Sequence, residues 1–116
     1  MAEKKYDLEE RTLKFAKNVR DFVKDVPRSI SNNEYAKQLI RSSGSIGANY
    51  IEANESLGKK DFVHRAKISR KEAKESRFWL ELIEISGIME QTRKDLLDEA
   101  TQLMMILSAI IRNYNA

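Results

Sequence analysis

Residues 38–57 read QLIRSSGSIGANYIEANESL, and how this stretch packs decides the fold. Its length and apolar spacing suit one helix, yet its middle holds Ser42, Ser43, Gly44, Ser45, Gly47 and Ala48. Each glycine inside a helix costs roughly 1 kcal/mol relative to alanine. Small side chains kept at that cost imply that another backbone, or a ligand, comes unusually close. The expected core line runs through Ala36, Ile40, Ser43, Gly47, Tyr50, Asn54 and Leu57, with Leu39, Ile46 and Ala53 forming a heptad-spaced row beside it.

The next segment has a matching pattern. Phe62, Ala66, Ser69, Ala73, Ser76, Leu80, Ile83 and Gly87 alternate in steps of four and three, the spacing of knobs-into-holes packing. Gly58 between the two segments is the expected left-handed stop of the first. An antiparallel pair turning at Gly58 sets Tyr50 opposite Ala66, Gly47 opposite Ser69, Ser43 opposite Ala73 and Ile40 opposite Ser76. Helices meeting through such residues can approach below the usual interaxial distance of about 8–10 Å. A close-packing seam of Ser43, Gly47, Tyr50, Ala66, Ser69, Ala73 and Ser76 therefore explains the glycines without a ligand. The rival reading is an anion site. Gly44 and Ser45 lie mid-helix, however, where backbone N–H groups are already bonded, and no GxxxxGK[ST] loop is present.

Two further helices complete the chain. Asp7 and Glu10 form a capping box ahead of Leu8, Phe15, Val19, Phe22 and Val26, and Pro27 ends that helix. Ser31 with Glu34 reads as the cap of the second helix, with Ile30 and Tyr35 as its hydrophobic staple. Gly87 ends the third, and Thr92 with Asp95 starts the fourth, whose seam is Leu97, Ala100, Met104, Leu107, Ile111 and Tyr114. The expected fold class is all-α, an antiparallel up-down-up-down four-helix bundle with helices at about 7–26, 31–57, 59–86 and 92–114, in one domain spanning 1–116.

Composition narrows the chemistry. The chain has no cysteine, so disulfides and thiolate metal sites are out, and a single histidine, His64, excludes most zinc sites. Asp61-x-x-His64 occurs once, so a di-iron bundle site cannot be built from one chain. No nucleophile elbow is present, and Asp61 and Glu75 near His64 read as a solvated cluster. No catalytic site, metal or cofactor is expected. The N-terminal MAEKKYDLEE lacks the apolar region of a signal peptide, and no run approaches the ~18 apolar residues of a membrane span. A cytoplasmic location is the expectation.

Two surfaces exceed what a monomer needs. Helix four carries a second apolar row of Leu96, Leu103, Ile106 and Ile110. Helix three carries Phe78, Leu82 and Ile85 off its seam, with Trp79 between. Left bare, these would form a contiguous patch, so they are the expected interface of a homo-oligomer. Between Lys59 and Arg77 there are eight Lys/Arg against three Asp/Glu. Lys60, Lys67 and Lys74 repeat every seven residues, and His64 and Lys71 share their face. The commoner meaning of such a row is a solvated face; the functional one is a strip that binds nucleic-acid phosphates. Glu52, Glu55, Arg70 and Arg77 flank the seam and could pair across it.

The blocks YDLEERTLKFAKNVRDF (6–22), QLIRSSGSIGANYIEANESL (38–57), KKDFVHRAKISRKEAKESRFWL (59–80) and LMMILSAII (103–111) together resemble the bacterial four-helix-bundle proteins named after intervening sequences in 23S ribosomal RNA genes. That resemblance covers nearly the whole chain. It implies a homopentamer around a central channel and kinship to the accessory variability determinant of diversity-generating retroelements, a basic pentamer associated with nucleic acid and a reverse transcriptase. It supplies no catalytic motif. A nucleic-acid-binding oligomer and a protein–protein scaffold without nucleic-acid affinity are the two functional expectations.

Overall fold

A computed structural model describes the backbone of residues 2–115 and the side chains of 8–114. Four helices account for nearly all of it: α1 (Ala2–Lys24), α2 (Ile30–Asn54), α3 (Lys59–Leu82) and α4 (Glu90–Asn115), with a 3₁₀ turn at Gly87–Met89 before the last. Each helix packs on its neighbours in sequence and α4 closes back on α1; among the described residues the diagonal pairs show no close backbone approach. With connections this short, consecutive helices must run antiparallel, which gives the up-down-up-down bundle. Its long dimension is 44 Å.

Several ends differ from the sequence expectation. The backbone is already helical at Ala2, so Asp7 lies inside α1 and is not its cap; the Asp7 side chain is outside the described residues. Ser29, not Ser31, caps α2: its hydroxyl accepts the Asn32 N–H at 3.0 Å. Ile30 is almost fully exposed, so no staple with Tyr35 forms. Helix α2 stops at Asn54, three residues early, with Ser56 Oγ donating to the Glu52 carbonyl. Gly58 is extended (φ −149°) and serves as the N-cap residue of α3, not as a left-handed stop. Helix α3 ends at Leu82, where Arg93 of α4 reaches back and donates to the Ile83 carbonyl at 2.6 Å. A guanidinium on otherwise orphaned helix-end carbonyls does the work of a C-terminal glycine.

The core is built from Phe15, Val19 and Phe22 of α1, Leu39, Ile46 and Tyr50 of α2, Ala73 and Leu80 of α3, and Leu96, Ala100, Leu103 and Leu107 of α4. A smaller cluster of Val63, Ala66 and Ile111 closes the other end. In α2 the row Leu39, Ile46 and Ala53 is buried throughout, and of the expected core line Ser43, Gly47 and Tyr50 are buried while its ends are not. Ile40 is half exposed, and Leu57, beyond the helix end, is fully exposed. Tyr114 sits at the rim, stacked on Phe62 with ring centroids 4.1 Å apart.

The small residues of α2 divide between two neighbours. Toward α3, Ser42 Oγ and Ser76 Oγ are 2.9 Å apart, and Ser69 Oγ donates to the Ile46 carbonyl at 2.7 Å. A side-chain bond to a partner helix's backbone carbonyl requires close approach, and serine is small enough to permit it. Toward α1, Gly47 lies against Thr12: a Cβ on Gly47 would sit 2.8 Å from Thr12 Oγ1. Gly47 thus faces α1 and not Ser69. Gly44 faces open space.

Candidate nucleic-acid interface

The α3 seam (Val63, Ala66, Ser69, Ala73, Ser76, Leu80) is buried. Helical geometry then fixes what points the other way. Lys60, His64, Lys67, Lys71 and Lys74 are all exposed along one line of α3. Steps of four and three residues keep them on a single face. A surface depression of about 510 Å³ lined by Lys59, Lys60, Val63, His64 and Lys67 marks the beginning of this strip. It lies over the α3 N-terminus, whose cap residue, Gly58, has no side chain to satisfy the first N–H groups.

Two of the three acids in this segment are held away from the strip. Of the three carboxylates between Lys59 and Arg77, Glu72 and Glu75 are both bound by Arg41 of α2, Glu72 at 3.3 Å. Glu75 also accepts the Trp79 indole N–H at 3.3 Å. Desolvation works against the Arg41 charge, but the hydrogen bonds to Glu75 and Glu72 outweigh it and hold its pKa above the ordinary arginine value. Lys71 and Glu75 are one helical turn apart and would otherwise pair. Among the described residues, no carboxylate lies within ion-pair distance of Lys60, Lys67, Lys71 or Lys74. Glu75 is consequently not part of a cluster around His64. The flanking arginines turn toward α4 or along α3: Arg70 donates to Ser108 Oγ at 3.3 Å, and Arg77 lies 3.8 Å from Glu81. Neither pairs with Glu52 or Glu55.

The apolar rows are redistributed. Leu96 (4% exposed) and Leu103 (0%) are inside the core and cannot form an interface between copies. Helix α4 packs on both α1 and α3, so it needs the wider apolar face. Trp79, Ile85, Ile106 and Ile110 are partly buried against the same core. Phe78 and Leu82 are the members of the predicted interface that remain exposed. A second apolar surface, not expected from sequence, lies on α1 and α2. Leu13, Ile40 and Ile51 are each about half exposed there, with Gly44 and Ala48 exposed on the same side of α2. It adjoins a groove of about 750 Å³ lined in part by Val23, Val26, Pro27, Ala36 and Ile40.

Sequence reasoning missed Arg41 and Asn32; it places Thr12 on the buried seam of α1, where the structure has it, but without its neighbour. The antiparallel register could have found Arg41, since it sets that residue opposite Glu75; the observed contacts Ser42–Ser76, Ile46–Ser69 and Asn32–Glu84 keep to that register within about two residues. Nothing local marks Thr12 as the neighbour of Gly47. Among the described residues, no three His, Cys, Asp or Glu side chains gather into a metal-binding group, and no helix is long and apolar enough to cross a membrane.

No curated protein matches the chain. A crystal structure of a protein with unknown function from the S23 ribosomal protein family, from Bacteroides thetaiotaomicron VPI-5482, matches with a TM-score of 0.78 and 28% identity. The match covers 94% of this chain and 98% of that one. Residues 4–109 match the 23S rRNA-intervening sequence proteins, and the chain belongs to that family.

Proposed function

We propose that this chain is a non-enzymatic, cytoplasmic, homo-oligomeric bundle, pentameric as the family resemblance implies, that binds RNA or DNA through charge and shape and not through base sequence. The observation that carries the reading is the row Lys60, His64, Lys67, Lys71 and Lys74, exposed along one face while Arg41 holds Glu72 and Glu75 away from it. Copies of this row around a ring would add modest contacts into useful avidity. Binding through four to five phosphate contacts predicts a slope of about −3 in log affinity against log salt for a single strand. Fluorescence anisotropy with labelled RNA across a salt series measures it. Lys67→Glu combined with Lys71→Glu should abolish most of the affinity; unchanged affinity in that variant sinks the reading.

The scaffold reading draws on the exposed α1–α2 face around Leu13, Ile40 and Ile51. It requires no nucleic-acid affinity. Light scattering gives the oligomer mass in either case, and a monomer at micromolar concentration removes the assembly from both.

A further inference from the structure

The basic row on α3 does not end in solvent. Phe78 follows Lys74 by one turn on the same line, and the residue is 57% exposed. Its ring is held edge-on against Trp79, centroids 5.1 Å apart at 73°. Trp79 is in turn stacked on Tyr35 and tied to Glu75 through its indole N–H. An exposed ring positioned in this way loses little freedom on contact with a ligand.

We infer that the strip takes single-stranded nucleic acid, with the lysines on the phosphates and Phe78 as the platform on which one base stacks. This deepens the reading of the strip proposed above and rests on it. A duplex keeps its bases stacked on one another and offers an exposed ring nothing to meet. An unpaired strand presents the π-face of every base, whatever its identity. The surroundings of Phe78 suit a polyanion despite two nearby acids. Glu75, one turn before, is bound by Arg41, and Glu81, one turn after, lies within ion-pair distance of Arg77. From Lys60 to Phe78 the helix rises about 27 Å, the length of about eight nucleotides at a stacked spacing of about 3.4 Å.

The test compares a labelled 12-nucleotide RNA with the duplex of the same sequence, at low salt, for the wild type, Phe78→Ala, Phe78→Trp and the Lys67→Glu/Lys71→Glu variant. Phe78→Ala should weaken single-strand binding by about 5- to 150-fold, the usual loss for one stacked base, and leave duplex binding within about twofold. Phe78→Trp should restore it. Emission of Trp79, the sole tryptophan, should be quenched by the single strand in the wild type and much less in Phe78→Ala. Thermal unfolding followed by circular dichroism, with light scattering, checks that fold and oligomer mass are unchanged. Equal losses for both RNAs, no loss for either, or a change of mass in Phe78→Ala overturns the stacking role; the last would make Phe78 a contact between copies. If the lysine variant still loses both RNAs in those cases, the strip itself stands. Absence of RNA binding in the wild type defeats the strip and the platform together.

Discussion

Asn32 and Glu84 hold the start of α2 against the end of α3 by a two-way bond. The Asn32 amide donates to the Glu84 carbonyl at 2.9 Å, and the Glu84 N–H donates to Asn32 Oδ1 at 3.0 Å. The same amide nitrogen also donates to the Pro27 carbonyl at 2.8 Å. Asn32 is buried, so backbone groups of both connections depend on it in place of water. Asn32→Ala should destabilise the bundle by about 2–3 kcal/mol, the penalty for orphaning buried backbone groups. Asn32→Asp should be worse near neutral pH, because it sets a carboxylate oxygen against two carbonyl oxygens. Urea denaturation of the two variants measures both effects.

Two glycines three residues apart should respond to alanine with opposite signs. At Gly47 a Cβ would meet Thr12 Oγ1 at 2.8 Å and Thr12 Cβ at 3.2 Å, and the Thr12 hydroxyl already donates to the Glu9 carbonyl. Gly47→Ala should therefore cost about 1–3 kcal/mol. Adding Thr12→Ala should recover part of that loss, a coupling that a double-mutant cycle reads directly. At Gly44 nothing lies within 4 Å of a Cβ, so Gly44→Ala should stabilise by about 0.5–1 kcal/mol through helix propensity. Thermal melts of Gly44→Ala, Gly47→Ala, Thr12→Ala and the Gly47→Ala/Thr12→Ala double decide the matter.

That pair also shows what sequence can and cannot locate. The α3 seam was readable because Ala66, Ser69, Ala73 and Ser76 repeat without competition from larger residues. In α2, two rows of helical period overlap. Both are buried at mid-helix, and the polar Ser42 and Ser43 do not tell which neighbour each row meets. The antiparallel register was also legible, because one short connection fixes it. Which neighbour a small residue touches was not: Gly47 meets α1, whose position depends on closure of the whole bundle. Helix ends were misread where the terminating partner is distant, as with Arg93 on the Ile83 carbonyl. The basic strip could be read from spacing alone; that Glu72 and Glu75 do not neutralise it depends on Arg41, from another helix.

Stability should fall at alkaline pH partly through Tyr50. Burial raises its phenol pKa above 10; hydrogen bonding with Asn54 pulls the other way, and the Glu9 charge adds to the rise. The folded protein thus keeps this proton to higher pH than the unfolded chain does. Its contribution is intact below about pH 10 and is lost as the pH rises through the folded value. Unfolding free energies between about pH 8 and 11 should decline more steeply in the wild type than in Tyr50→Phe. Parallel curves would show that ionisation of Tyr50 is not linked to folding.

Arg41 should control binding from a position off the strip. Its pairs with Glu72 and Glu75 are partly exposed, so Arg41→Gln should change stability by no more than about 1 kcal/mol. Its effect on charge should be larger. Released, Glu75 can turn to Lys71 one turn before it, and Glu72 adds a second negative charge beside the row. RNA affinity at low salt should drop by about tenfold and the salt slope should become shallower by about one phosphate contact. Adding Glu75→Gln to Arg41→Gln should return most of the affinity, because the carboxylate that Arg41 held away is gone. A role of Arg41 in direct phosphate contact predicts the reverse, since the second substitution could not then replace the missing guanidinium. Anisotropy titrations of the single and double variants across one salt series separate the two.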